Sequence, residues 1–182
     1  MSESDHPSSA ALAFGPVRQL AFVVDNAEAA AAQWAQVHGA GPFWVYEVDI
    51  ADTNYRGATS RMWATMALGH LGDQQIELIE PRDSTPSVYR EFLDAGRSGL
   101  HHICYWHDID TAANRLMAQG HEMVQRGTTS TGAGFAYLTG GPDLAYIELV
   151  DPRAGDGAMG RFFDAVAASS HGWDGSDPVR TR

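Results

Sequence analysis

Four polar side chains stand where the surrounding pattern is apolar: Gln19, Glu77, His102 and Glu148. Each lies in a short run of branched and aromatic residues, the composition of a β-strand. The runs form two matched pairs. Gln19-Leu20-Ala21-Phe22-Val23-Val24-Asp25 aligns with His102-Ile103-Cys104-Tyr105-Trp106-His107-Asp108 at an offset of 83. Gln75-Ile76-Glu77-Leu78-Ile79-Glu80-Pro81 aligns with Tyr146-Ile147-Glu148-Leu149-Val150-Asp151-Pro152 at an offset of 71. Two echoes in the same order indicate a duplicated unit. Strand alternation groups Glu77 with Gln75 and Ile79, and Glu148 with Tyr146 and Val150, so two carboxylates project from equivalent faces of equivalent strands. A carboxylate on an inner face is costly to bury unless it is paired or bound to metal. Two carboxylates, an imidazole and an amide oxygen make a mixed N/O donor set whose charge balances one divalent ion. Zn, Ni, Co, Mn or Mg would suit, with positions left for water or substrate oxygens. Taken singly, each residue has a plainer reading: a glutamate at a strand edge, or a hydrogen-bonded core histidine. Their recurrence at matching strand positions is what argues for a site.

The elements that must position them follow from pattern and punctuation. A strand is expected over 17–24. Asn26 is a plausible N-cap for a helix over 27–38, which Gly39 and Gly41 stop. A strand over 43–48 and a polar loop over 49–60 come next, then an antiparallel pair, 61–68 with 74–79, turning at Gly72-Asp73. Residues 82–97 link the halves, with a short helix over 86–93. The second half has a strand over 99–106, a helix starting at Asp110 or Thr111 and ending at Gly120, and strands over 122–125, 135–138 and 145–150. Alternation puts His101 on the face opposite His102, as a structural residue, and Cys104 on the face of His102, as core. The order strand-helix-strand-strand-strand therefore occurs twice, over 16–81 and 98–152. Each half leaves an apolar sheet face that pairing would cover. Residues 1–15 read as a loose arm. The tail, 153–182, carries one amphipathic stretch with Phe162, Phe163 and Val166.

Composition narrows the partners. The chain has 182 residues, 44% of them apolar, and a net charge of −11. That is enough to bury a core, and the acidity disfavours nucleic acid. No apolar run approaches a membrane span. The polar, acidic N-terminus does not read as a signal peptide. The single cysteine, Cys104, excludes an intramolecular disulfide and fits a reducing compartment, so a cytoplasmic location is expected.

These residues resemble the vicinal oxygen chelate superfamily (glyoxalase, bleomycin resistance protein and dioxygenase), in the branch holding glyoxalase I and methylmalonyl-CoA epimerase. The similarity spans residues 17–152 and rests most specifically on Gly99-Leu100-His101-His102-Ile103-Cys104 and on the Gln75–Pro81 and Tyr146–Leu149 segments. The resemblance implies an α+β fold, two tandem βαβββ modules forming an open, cup-shaped mixed sheet with flanking helices around one divalent metal ion. Carried over position by position, the ligands are Gln19, Glu77, His102 and Glu148. The implied activity is that of a metal-dependent lyase or isomerase, which moves a proton next to a carbonyl through a metal-stabilised enolate. The substrate would be a small molecule with adjacent oxygen donors. Glu148 is the preferred base, with Glu77 beside it. Tyr55 is a candidate acid, Arg56 and Arg61 are candidate anion clamps, and Trp63 is a candidate pocket wall. A homodimer is expected, because an open sheet and an apolar tail stretch both seek cover.

The same resemblance frames three alternatives. A non-catalytic small-molecule binding or resistance protein commonly lacks the metal ligands. An extradiol-type dioxygenase wants two histidines and a carboxylate around iron, and Gln19 replaces the first histidine. A methylmalonyl-CoA epimerase needs a second glutamate just before the third strand of the first module. Here that stretch puts Asn54 or Tyr55 at the position, with Asp52 several residues early. One-sided proton transfer is therefore expected instead.

Overall fold

The two halves of the duplication meet side by side. In the computed structural model, which describes residues 14–141 and 144–181, strand β1 (Gln19–Val23) pairs antiparallel with β5 (Gly99–Trp106). On one flank β1 pairs parallel with β4 (Gln74–Pro81), followed by β3 (Ala58–Leu71) and β2 (Phe43–Tyr55). On the other, β5 pairs parallel with β8 (Tyr146–Val150), followed by β7 (Gly134–Leu138) and β6 (Met123–Thr128). Both halves thus have the same strand order about one seam, the α+β arrangement expected.

The sheet bends into a cup and then closes. Residues 49–60, expected as a loop, are strand: β2 runs on to Tyr55, turns at Arg56-Gly57 and returns as β3. Thr53 faces Ser60, Asn54 faces Thr59 and Tyr55 faces Ala58. Both turn residues have positive φ, 48° and 86°, and Asn54 Oδ1 accepts from the Gly57 N–H at 3.1 Å, the chemistry of a tight hairpin. These residues are polar because most of the extension meets water. The exceptions are Ile50, in the ring's apolar cluster, and Thr53, buried where it accepts from Gln125 Nε2 at 2.9 Å. Beyond the bend β2 pairs with β6, Asn54 to Arg126 and Tyr55 to Gln125. Eight strands then form a ring, a size whose interior holds packed side chains or one small ligand.

Each outer face carries one helix. α1 (Ala27–His38) is capped by Asn26, whose Oδ1 accepts from Ala29 N at 2.7 Å, and is ended by Gly39 in left-handed conformation. Such a cap contributes about 1 kcal/mol. Ala27 and Ala31 press it onto Ile76 and Leu78, and its small side chains let helix and sheet approach closely. α3 (Ile109–Ala118) begins one or two residues earlier than expected because Asp108, not Asp110, is the cap, accepting from Thr111 N at 2.8 Å. It buries Ala112, Ala113 and Leu116 against Ala136, Leu138 and Leu149. The third apolar cluster fills the ring itself. Burying each large side chain contributes about 1.5–3 kcal/mol.

Two segments lie outside the repeats. The linker forms α2 (Val88–Asp94), capped by Ser87. The tail forms helix α4 (Ala158–Ser170) and strand β9 (Val179–Thr181), which adds parallel to the start of β2. Sequence pattern marked the apolar stretch of α4 but not β9. Nearly all of the expected N-terminal arm lies outside the described residues; Phe14 packs on Tyr105 with ring centroids 5.9 Å apart. Among the described residues no helix is long and apolar enough to cross a membrane.

One acid residue ties the linker to both modules. Glu91 of α2 takes a two-pronged bond from Arg56, Nε at 2.7 Å and Nη2 at 2.8 Å, and accepts from the hydroxyls of Tyr55 and Tyr146. The Arg56 bond first, and the two tyrosines after it, lower the Glu91 pKa from 4.5 to about 2, against partial burial. A depressed carboxylate contributes stability that is fully present above its unfolded-state pKa and is lost as pH falls through its folded value. Glu91→Gln is therefore expected to be modestly less stable to urea than the parent near neutral pH, with the gap shrinking between 4.5 and about 2. A gap independent of pH over that window would show that the carboxylate contributes nothing.

Candidate active site

Strand register assembles the four candidate residues. Across β4, β1, β5 and β8, one row runs Gln75, Gln19, Cys104, Glu148, and the next runs Glu77, Ala21, His102, Tyr146. The four thus occupy two adjacent rows at the seam, within one chain. Ala21, fully buried between Glu77 and His102, has too small a side chain to fill the space between them. Gln19 is 3% exposed, His102 0%, and Glu77 and Glu148 6% each. His102 Nε2 lies 3.1 Å from Glu148 Oε2 and 3.6 Å from Glu77 Oε2.

A bulge fixes the imidazole. The register shifts between Ala21 and Phe22, which face His102 and Leu100, leaving His101 as the extra residue. Alternation put His101 on the opposite face; the bulge instead brings its Nδ1 within 2.9 Å of His102 Nδ1. The other nitrogen of His101, Nε2, lies 3.3 Å from the Val88 carbonyl. Burial first, and the neighbouring His102 second, hold the His101 pKa well below its usual value, so this ring is neutral. A carbonyl can only accept, so His101 carries its proton on Nε2 and accepts at Nδ1. His102 then carries a proton on Nδ1. Its Nε2 makes no aligned hydrogen bond in spite of the nearby carboxylates.

The electrostatics of this cluster are those of two buried carboxylates held close together. Burial, then the charge of Glu148, push the Glu77 carboxyl well above the usual range. Burial acts the same way on Glu148, but whenever His102 is protonated its charge, with the Tyr137 hydroxyl and Cys104 thiol after it, outweighs burial, so Glu148 is the more acidic of the pair. Cys104 is driven well up by burial and then by Glu148, and stays a thiol, in agreement with its reading as core. No three His, Cys, Asp or Glu side chains among the described residues stand as a formed ligand cage. The donor set fits a divalent ion nonetheless. It comprises an unpartnered imidazole nitrogen and two buried carboxylates, and Gln19, whose Nε2 donates to Gln75 Oε1 at 3.0 Å and so leaves its own carbonyl oxygen free.

These groups reach a cavity of about 450 Å³ inside the ring. Gln19, Glu77 and Glu148 line it, with Tyr89 and Tyr137 on one wall, while His102 is buried beneath the surface. The two tyrosine hydroxyls are 2.7 Å apart. Burial raises both phenol pKa values well above normal, followed for Tyr89 by the charges of Glu77 and Glu148 and for Tyr137 by Glu148, so both remain proton donors. Helix α4 supplies the roof through Ala158, Met159, Phe162 and Phe163.

The remaining sequence candidates fall elsewhere. Tyr55 and Arg56 are held by Glu91, outside the cavity wall. Arg61 makes a two-pronged bond to Asp49, 2.7 Å on each prong, and stacks over Trp63 at 4.5 Å; neither lines the cavity. Asp52 is exposed on β2 and does not line it either. Sequence reasoning missed Tyr89, Tyr137, Gln75 and the role of His101. Only Gln75 had a signal, since it falls on the same strand face as Glu77.

The fold and this site define a class. A family model described as the Glyoxalase/Bleomycin resistance protein/Dioxygenase superfamily matches residues 18–139, and the chain belongs to that superfamily. Among solved structures it is similar to methylmalonyl-CoA epimerase from Mycobacterium tuberculosis, with 23% identity, TM-score 0.54, 75% of this chain and 87% of that one covered. A hypothetical protein from Bacillus halodurans C-125 matches at 16% identity and TM-score 0.54, covering 75% and 93%. Streptomyces coelicolor methylmalonyl-CoA epimerase in complex with 2-nitronate-propionyl-CoA matches at 17% and 0.52, covering 74% and 92%. At these identities the likeness is one of fold. Comparison with curated proteins by sequence finds no match.

The tautomer assignment is open to direct measurement. Long-range ¹H–¹⁵N spectra of histidine-labelled, chelator-treated protein are expected to show His101 protonated at Nε2 and His102 at Nδ1. The opposite pair of tautomers would overturn the hydrogen-bond chain from Val88.

Proposed function

We propose that the protein is a metal-dependent lyase or isomerase that moves a proton next to a carbonyl. The observation that supports this best is the unpartnered Nε2 of His102 beside two buried carboxylates at a cavity wall. Gln19, Glu77, His102 and Glu148 would hold one divalent ion, which supplies Lewis acidity to adjacent oxygens of a small-molecule substrate. Glu148, the more acidic carboxylate, accepts the substrate proton as general base. Glu77 balances charge and holds the opposite side of the site. Tyr137, braced by Tyr89, is the donor best placed to return a proton or to bind a developing oxyanion. It takes the acid role that the sequence suggested for Tyr55. Arg56 and Arg61 already carry carboxylate partners and stand as structural residues in this reading.

Methylmalonyl-CoA epimerisation is disfavoured, because two-sided proton transfer needs a second base across the substrate. Asp52 points to water and Asp49 at the rim is taken by Arg61, which leaves Glu47, among the described residues, as the one further cavity carboxylate for that role. The apolar roof favours one second reading, a small-molecule binder without turnover, and metal analysis separates the two. The ring closes within the chain and the tail's apolar face, on α4, packs against it, so the features that suggested a dimer are met inside one chain; a homodimer and a cytoplasmic location remain proposals.

Protein purified without chelator, then stripped and titrated with Ni, Co, Mn or Zn, is expected to bind about one divalent ion per chain at micromolar concentration. The raised pKa of Glu77 sets the pH dependence. Burial and Glu148 favour the protonated form of the metal-free carboxyl, so the ion competes with a proton there. Binding should therefore release about one proton and strengthen as pH rises. Affinity flat across pH 6–8, or no binding, would sink this reading. Glu148→Gln should keep the fold and lower turnover by about 10²–10⁴-fold.

A further inference from the structure

The cavity has an unusual charge pattern for a site whose substrate would form an anion. Among the described residues lining it, four are acidic, namely Glu47, Asp49, Glu77 and Glu148, and none is basic. The chain contains no lysine. Arg61 is bonded to the lining residue Asp49, and Asp83 also faces it, while Arg161 of the roof helix is exposed and donates to the Asp156 carbonyl. The other walls are Ile50, Met62, Met66, Phe135 and Val150. A bound divalent ion would neutralise Glu77 and Glu148 and leave nothing over for a carboxylate or phosphate on the substrate. An anionic group entering here would meet hydroxyl donors but no cationic side chain among the described lining residues, beside four carboxylates.

The roof is part of this selection. α4 follows the duplicated modules and is firmly docked. Phe162 packs edge-on against Tyr46 with ring centroids 5.1 Å apart, and Phe163 stacks on Trp106 at 5.4 Å. Ser169 Oγ accepts from Trp44 Nε1 at 3.1 Å. The turn leading into the helix is seated on the β6–β7 loop, where a Cβ at Gly155 would come within 2.1 Å of the Thr131 carbonyl. Thr129, Ser130 and Thr131 of that loop also line the cavity. Roof and rim are therefore one packed unit.

We propose that the site selects an uncharged, largely apolar small molecule, and that Met159 and Phe162 of α4 are its specificity-determining wall. The inference rests on the same cavity as the proposed reaction but not on the reaction. A coenzyme A ester or glutathione adduct that brought its charged groups into the cavity would be disfavoured by this lining. The volume, about 450 Å³, is that of a small-molecule pocket.

A matched pair of fluorescent probes tests the charge rule. N-phenyl-1-naphthylamine is neutral; 8-anilinonaphthalene-1-sulfonate has the same ring system with one negative charge. Neither carries adjacent chelating oxygens. The full chain, with and without divalent ion, is expected to bind the neutral probe at least about tenfold more tightly than the sulfonate, and coenzyme A should not displace it. Phe162→Asp should weaken the neutral probe by about tenfold or more, and Met159→Arg should shift preference toward the sulfonate, both with metal stoichiometry unchanged. Equal or tighter sulfonate binding, or displacement by coenzyme A, would overturn the proposal. Neutral-probe preference in a protein that binds no divalent ion would uphold it while removing the proposed reaction. Metal binding without that preference would remove this inference alone.

Discussion

The antiparallel seam between β1 and β5 is the contact on which the rest depends. It joins two copies of one unit so that the inner faces of both look into a single interior. It also sets the register that puts Glu77, Ala21 and His102 in one row and Gln19 and Glu148 in the next. A one-residue slip would turn the whole set outward. The bulge at His101 is the one irregularity in the seam. It converts a residue that alternation would send to the far face into the group that orients the His102 imidazole.

What the sequence disclosed and what it hid divide along physical lines. The duplication was legible because the strands at the seam are buried on the inner face and half-covered on the outer one, so their apolar pattern is constrained and a polar residue on the inner face stands out. Gln19, Glu77, His102 and Glu148 could be found that way. The extension of β2 and β3 over 49–60 was not, because a hairpin with water on most of its surface carries the composition of a loop. Ring closure depends on that hairpin reaching β6 and was hidden with it. Tyr55 and Arg56 looked like site residues for the same reason: their polarity suggested function, whereas it serves the bond to Glu91 that holds the linker. The His101 bulge left no trace in the pattern, because a histidine pair reads the same with or without one. Tyr89 and Tyr137 resembled ordinary core aromatics, and only the fold reveals their paired hydroxyls facing the cavity.

The closed ring also changes what the tail is for. An open cup would leave a sheet edge and an apolar mouth, both of which invite a second chain. In this chain β2 and β6 join beyond the bend, β9 adds to β2 near its start, and α4 lies over the mouth. Cover that a partner could have given is thus supplied from the same polypeptide, and the roof becomes a place where side chains can tune the cavity without disturbing the rows below.

The buried acid cluster works against the fold that holds it. Two carboxylates and an imidazole with almost no exposure to water cannot all rest in their deprotonated states without cost. A proton shared among them, or a divalent ion, must restore balance. The proton leaves His102 Nε2 close to Glu148 but out of line for a good bond. An ion would engage the nitrogen and both carboxylates together. Binding energy gained there is also folding energy. The small side chain of Ala21 and the bulge at His101 together leave His102 facing both carboxylates, the arrangement that such an ion would need.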